Sequence, residues 1–67
     1  MEYGTIKMWN EAKGYGFITA EDDKDIFVHV NDLDISLKPK MLREGLRVKF
    51  DIQSDMHGDR AIRVRLA

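Results

Sequence analysis

From Arg47 to Gln53 the chain runs Arg-Val-Lys-Phe-Asp-Ile-Gln, an unbroken alternation with Val48, Phe50 and Ile52 on one side and charged or polar groups on the other. Successive side chains of an extended strand point to opposite faces, so this segment buries one face and wets the other only as a β-strand. Arg60 to Leu66 alternates again and sets Ile62, Val64 and Leu66 against Arg63 and Arg65. Ser54 to Gly58 supplies the turn between them. Upstream, Tyr3 to Trp9 alternates more loosely, Asn10 to Gly14 is turn-like, and Tyr15 to Thr19 is a second strand. Glu21 to Lys24 is an acidic turn, and Asp25 to Val30, rich in β-branched and aromatic residues, is a third strand. Asn31 to Glu44 has no clean period and holds the only proline, Pro39; a long loop is expected there, with one helical turn near Asn31-Asp32-Leu33.

Five short strands without an amphipathic helix predict an all-β fold. A five-stranded antiparallel Greek-key sheet of this size removes its exposed edges by rolling into a partly closed barrel, the architecture of oligonucleotide-binding folds. With 67 residues the chain has apolar surface for one core only, so residues 1–67 are expected to form a single domain.

Composition narrows the function by exclusion. There is no cysteine, hence no disulfide framework and no thiolate metal site, and a reducing compartment fits. The chain does not open on a basic stretch followed by an apolar one, and no apolar run approaches the ~20 residues that span a bilayer, so a cytoplasmic protein without a membrane partner is expected. His29 and His57 are too few for a zinc site, and Glu21 to Asp25 lacks the glycine and the closing glutamate of a calcium loop. Ser36 and Ser54 lie in loops without an adjacent base, so no catalysis, cofactor or small-molecule substrate is expected. The formal net charge of −1 removes the simplest electrostatic argument for a nucleic-acid binder. Its distribution is uneven, with acids at Glu21, Asp22, Asp23 and Asp25 and bases at Lys38, Lys40, Arg43, Arg47, Lys49, Arg60, Arg63 and Arg65.

The rings carry the positive argument. Residues two apart on a strand share a face, which groups Tyr15 with Phe17 and Phe27 with His29, and sets Ile18, Ile26, Val28 and Val30 opposite. The aliphatic set is the natural core, so the aromatic set is left on the wet side. Exposed rings clustered beside lysines suit nucleic-acid bases, which offer a flat π-face attached to a phosphate. Gly14 and Gly16 flank Tyr15 and would let a base approach the backbone, although turn or bulge chemistry serves equally well for Gly14.

Lys13-Gly14-Tyr15-Gly16-Phe17-Ile18 and Ile26-Phe27-Val28-His29-Val30 resemble the two ribonucleoprotein motifs of the cold-shock domain family. Gly4 to Asn10 is similar to that family's opening strand, Arg43-Glu44-Gly45 with the following strand to its fourth, and Gly58 to Val64 to its closing strand. The Lys-Gly-aromatic-Gly-Phe pattern also occurs in RNA-recognition domains, but there the two motifs come in the opposite order and two helices pack on the sheet. The resemblance implies an oligonucleotide-binding barrel that holds single-stranded RNA or DNA, often pyrimidine-rich, as an RNA chaperone or regulator. It implies a stacking platform of Trp9, Tyr15, Phe17, Phe27 and His29, with Lys7 and Lys13 near phosphates and Met8, Lys38 and Arg60 completing the contacts. Three positions depart from the family pattern. Met8 stands at the usual tryptophan with Trp9 in the place of a phenylalanine, Val30 replaces an aromatic residue, and Pro39 lies where the long loop often offers a ring. Each stacked base is worth ~1 to 3 kcal/mol, so binding weaker than the family norm, or a shifted preference, is expected. A monomer is expected, and the alternatives are a protein-interaction module using the same rings or a nucleic-acid-binding head domain of a longer chain.

Overall fold

The computed structural model describes the backbone of Met1–Ala67 and every side chain except that of Asp55. Five strands, β1 (Glu2–Asn10), β2 (Tyr15–Ala20), β3 (Asp25–His29), β4 (Arg47–Asp55) and β5 (Gly58–Leu66), close into a barrel in the order β1-β2-β3-β5-β4. Strands β4, β1, β2 and β3 lie side by side in the 4-1-2-3 order of a Greek key, and β5 returns as a hairpin on β4. Four seams are antiparallel, as expected; the fifth, between β3 and β5, is parallel through Phe27↔Arg60 and Val28↔Ala61. An odd number of strands with alternating direction cannot close a ring without one parallel seam.

The interior is filled by Phe50, Ile6, Ile18, Val28, Val48 and Val64, all fully buried, with Ile26, Ala20 and Ala61 beside them. The long connection contributes Leu37 and Leu42 to the same core, which its lack of period conceals. It contains two 3-10 turns, Val30–Asp32 and Pro39–Met41. Two expected core positions are corrected. Period two groups Val30 with Ile26 and Val28, but β3 ends at His29 and Val30 starts the first turn, half-buried, its amide donating to the Gly14 carbonyl at 2.8 Å. Plain alternation puts Ile62 inward with Val64, but the buried pair on β5 is Ala61 and Val64, three residues apart. Arg63 sits between them at φ 51°, a left-handed kink that shifts the phase and turns Ile62 outward opposite Asp51. Ile52 keeps the inward phase opposite Ala61 yet is 40% exposed.

A second phase shift decides where the functional side chains go. Between Ile6↔Ile18 and Met8↔Phe17 the β1–β2 register slips by one residue at Lys7. Beyond this bulge Met8 shares the outer face of Phe17, and Trp9 shares the inner phase of Gly16. A Cβ on Gly16 would fall against the Met8 carbonyl oxygen and within 2.9 Å of both the Trp9 Cα and ring atom Cε3. The glycine is therefore what lets β1 and its tryptophan lie against β2, and it is not an opening for a base. Gly14 does serve the turn, at φ 73° with its amide on the Asn10 carbonyl at 2.8 Å.

Gly16→Ala should lower stability by about 1 to 3 kcal/mol through overpacking against a backbone that cannot yield locally. A urea titration read by circular dichroism checks this, with the midpoint falling and the slope unchanged.

Candidate nucleic-acid interface

Because Ile18, Ile26 and Val28 are claimed by the core, the alternate residues of β2 and β3 face out. Register then assembles them in rows. Asn10, Tyr15 and His29 form one, and Met8, Phe17, Phe27 and Arg60 form the next. Phe27 is the hub, with ring centroids 5.9 Å from Tyr15, 5.9 Å from Phe17 in an edge-to-face contact, and 6.5 Å from His29. These separations are those of mutually supporting rings, so the cluster is a continuous surface of half-buried aromatics. Met8 is 39% exposed and extends this surface onto β1.

His29 is oriented by the turn that follows it. Its Nδ1 accepts the Asn31 amide at 3.1 Å, which makes it the cap of the Val30–Asp32 turn. In the neutral ring this puts the remaining proton on Nε2, a donor at the edge of the ring face.

The charges on this face are mostly paired. Lys7 Nζ meets Asp25 Oδ2 at 2.8 Å, and the Thr19 hydroxyl donates to the other carboxylate oxygen at 3.4 Å. Arg60 is held by Asp32, its Nε donating to Oδ2 at 3.1 Å and its Nη2 to the same oxygen. Lys13 lies exposed in the β1–β2 turn, where its amide donates to the Asn10 side chain at 3.0 Å; its ammonium makes no hydrogen bond or ion pair among the described residues. A cleft of about 440 Å³ runs beside the rings, walled by Phe17 and Phe27 on one side and by His57, Gly58, Asp59 and Arg60 of the β4–β5 hairpin on the other. The pairings of Asp25 with Lys7 and of Asp32 with Arg60, and the part the hairpin tip takes in the cleft, carry no signal in the sequence. Nothing in a lone aspartate foretells its partner across a barrel.

The structure brings Met8, Tyr15, Phe17, Phe27, His29 and Arg60 onto one surface, with Lys7 and Lys13 on β1 and the turn after it. It does not bring Trp9 there. The indole is half-buried against the core, lies over Gly16, and has its Nε1 buried without a hydrogen-bond partner among the described residues. Lys38 is exposed on the segment leading into the Pro39–Met41 turn and shares no strand with the rings. No group of three or more metal-ligating side chains occurs among the described residues, and no helix there is long and apolar enough to cross a membrane.

Residues 2–67 match the profile of the 'Cold-shock' DNA-binding domain. The chain is 45% identical over 64 residues to a cold shock-like protein of Aquifex aeolicus, covering 94% of this chain and 90% of that one. It is 45% identical over 64 residues to cold shock protein 1 of Lactiplantibacillus plantarum, covering 96% of each. To cold shock protein CspC of Bacillus subtilis it is 42% identical over 67 residues, with both chains covered in full.

Asp25→Asn should change stability by less than about 1 kcal/mol, since an exposed pair contributes little. It should also release Lys7 for an incoming anion. The measurement is oligonucleotide affinity against salt, where one added phosphate contact steepens the logarithmic slope by about 0.7 and tightens binding at low salt.

Proposed function

The chain belongs to the cold-shock domain family, and from that premise we propose that it binds single-stranded RNA or DNA by stacking bases on Tyr15, Phe17, Phe27 and His29, and catalyses no reaction. The observation that carries this reading is the ring cluster centred on Phe27, half-exposed on a face that the core does not use. A flat aromatic surface accepts any base, because every base has a π-face, and strand selectivity then follows from flexibility and stacking strength. Pyrimidine-rich strands, which unstack at least cost, are the preferred ligands. Met8 covers an adjacent base with a polarizable thioether, and Lys13 takes a phosphate at the edge, while Lys7 lies near the phosphates but is held by Asp25. Stacking makes no contact to a 2′-hydroxyl, so RNA and DNA both bind.

Function as a cytoplasmic RNA chaperone or regulator in the cold-shock response is supported by the relatives, which are named cold shock proteins. A monomer suffices for it. The departures at Met8 and Val30 remove two rings, and Pro39 removes a third from the long loop, which argues for modest affinity. Salt dependence is shallow, corresponding to ~2 to 4 neutralised phosphates, because Lys7 and Arg60 are already tied to Asp25 and Asp32.

Titration of a labelled pyrimidine oligonucleotide, followed by anisotropy, tests the reading. Phe27→Ala should weaken binding tenfold or more, since one stack is worth ~1 to 3 kcal/mol and Phe27 also supports its three neighbours. Affinity should rise with strand length until the rings are covered. A folded Phe27→Ala chain with undiminished affinity would sink the proposal, and rings that capture a protein instead of a strand would return the interaction-module reading.

A further inference from the structure

Strand β4 pairs only with β1 and β5, across the barrel from the β2–β3 seam that bears the rings. On its outer side Tyr3 lies opposite Lys49, and Lys49 opposite Arg65, so the three make one row. Arg47 and Arg63 flank it. Tyr3 is 42% exposed, an aromatic ring beside two cations on a face with no core to join.

Carboxylates here answer only some of the cations. Arg47 meets Glu21 at 3.2 Å, and Asp51 meets Arg63 at 3.4 Å and the N-terminal ammonium at 3.9 Å. Lys49 makes no hydrogen bond or ion pair among the described residues. Arg65 donates Nη1 to the Arg63 carbonyl at 2.6 Å and Nη2 to the Met1 sulfur at 3.6 Å, neither of them a carboxylate. Asp34 is near enough to feel Arg65, but its carboxyl is engaged by the Ser36 hydroxyl and amide, which hold it below its ordinary value. Glu2 adjoins Tyr3 in the opposite phase, opposite Phe50. This distribution is the reverse of the ring face, where rings abound and the strand cations Lys7 and Arg60 are paired.

We propose that the Tyr3-Lys49-Arg65 face is a second contact surface that takes the phosphate backbone of a separate single strand, so that one molecule joins two strands. A lysine and an arginine fork beside an exposed ring match the repeat of a nucleic acid, one phosphate and one π-face per unit. The Arg63 carbonyl fixes the Arg65 guanidinium in advance, which lowers the ordering cost of gripping a phosphate. The second strand is separate because the faces lie on opposite sides of a closed barrel measuring 27 × 22 × 19 Å. The longer ring row runs across the strands from Met8 on β1 to Arg60 on β5, ~14 Å at the ordinary strand spacing, and does not reach β4. The inference does not depend on stacking at Phe27.

Titration of the full chain with a pyrimidine hexanucleotide at 50 mM salt, followed by calorimetry and native mass spectrometry, tests it. Two strands bind per protein. The second event weakens on the order of tenfold between 50 and 200 mM salt, as two or three phosphate contacts require. The double variant Lys49→Glu with Arg65→Glu abolishes the second event and leaves the first; should that variant unfold, Lys49→Gln alone weakens the second event at least threefold. Phe27→Ala acts on the first event only, so failure of the stacking reading shows separately, as a first event that ignores Phe27. One strand per protein at 50 mM salt, a second event indifferent to Lys49 and Arg65, or a second contact made only by a long continuous strand overturns the proposal.

Discussion

Everything on the ring face depends on the burial of Ile18, Ile26 and Val28, each between 0 and 3% exposed. A strand cannot bury both sets of its side chains against a single small core, so placing these three inside commits Phe17, Phe27 and their neighbours to the outside. The rings then recover part of their lost burial from one another, through contacts near 6 Å around Phe27. Hence the surface is both apolar and rigid. A sheet that held its rings singly would lose ordering entropy again each time a base arrived.

The same alternation made much of the fold legible from sequence. Val48, Phe50, Ile18, Ile26 and Val28 sit where period two places them, and the outward direction of Tyr15, Phe17, Phe27 and His29 follows. Two one-residue irregularities were not legible. At Lys7 the bulge exchanges the faces of Met8 and Trp9, and since both are large and apolar, the sequence shows no break in pattern there. At Arg63 a left-handed backbone carried by a residue other than glycine turns Ile62 out, and nothing in Ile-Arg-Val distinguishes that from plain alternation. Leu37 and Leu42 reach the core from a connection whose 3-10 turns follow neither period. Long-range ion pairs such as Arg60 with Asp32, 28 residues apart, were out of reach for the same reason.

Electrostatics divides the barrel differently from hydrophobicity. A net charge of −1 says little because opposite charges are matched locally on the ring face and less completely on β4 and β5. Pairing Lys7 with Asp25 and Arg60 with Asp32 leaves little uncompensated positive charge from these two side chains beside the rings. The pairs are not equivalent. Lys7 and Asp25 are well exposed and exchange partners easily, whereas the Asp32 side chain is only 16% exposed and anchors Arg60 where β5 meets the turn after β3. Arg60 is thus a fixed wall of the cleft, and Lys7 a movable charge on β1.

The exchange of Met8 and Trp9 bears on both stability and recognition. With the tryptophan inward, the indole lies over Gly16 and against the core, and its Nε1 is buried with no partner among the described residues. An unsatisfied donor costs of the order of 1 to 3 kcal/mol, so the indole's apolar area must offset it. Outward, the platform has an unbranched thioether where a rigid ring could have stood. Methionine offers a smaller and less directional contact than an indole, and on the proposed stacking surface it would reshape to the base it meets. In such an arrangement Phe27 and its three neighbouring rings provide the fixed part of the surface, and the β1 side adapts.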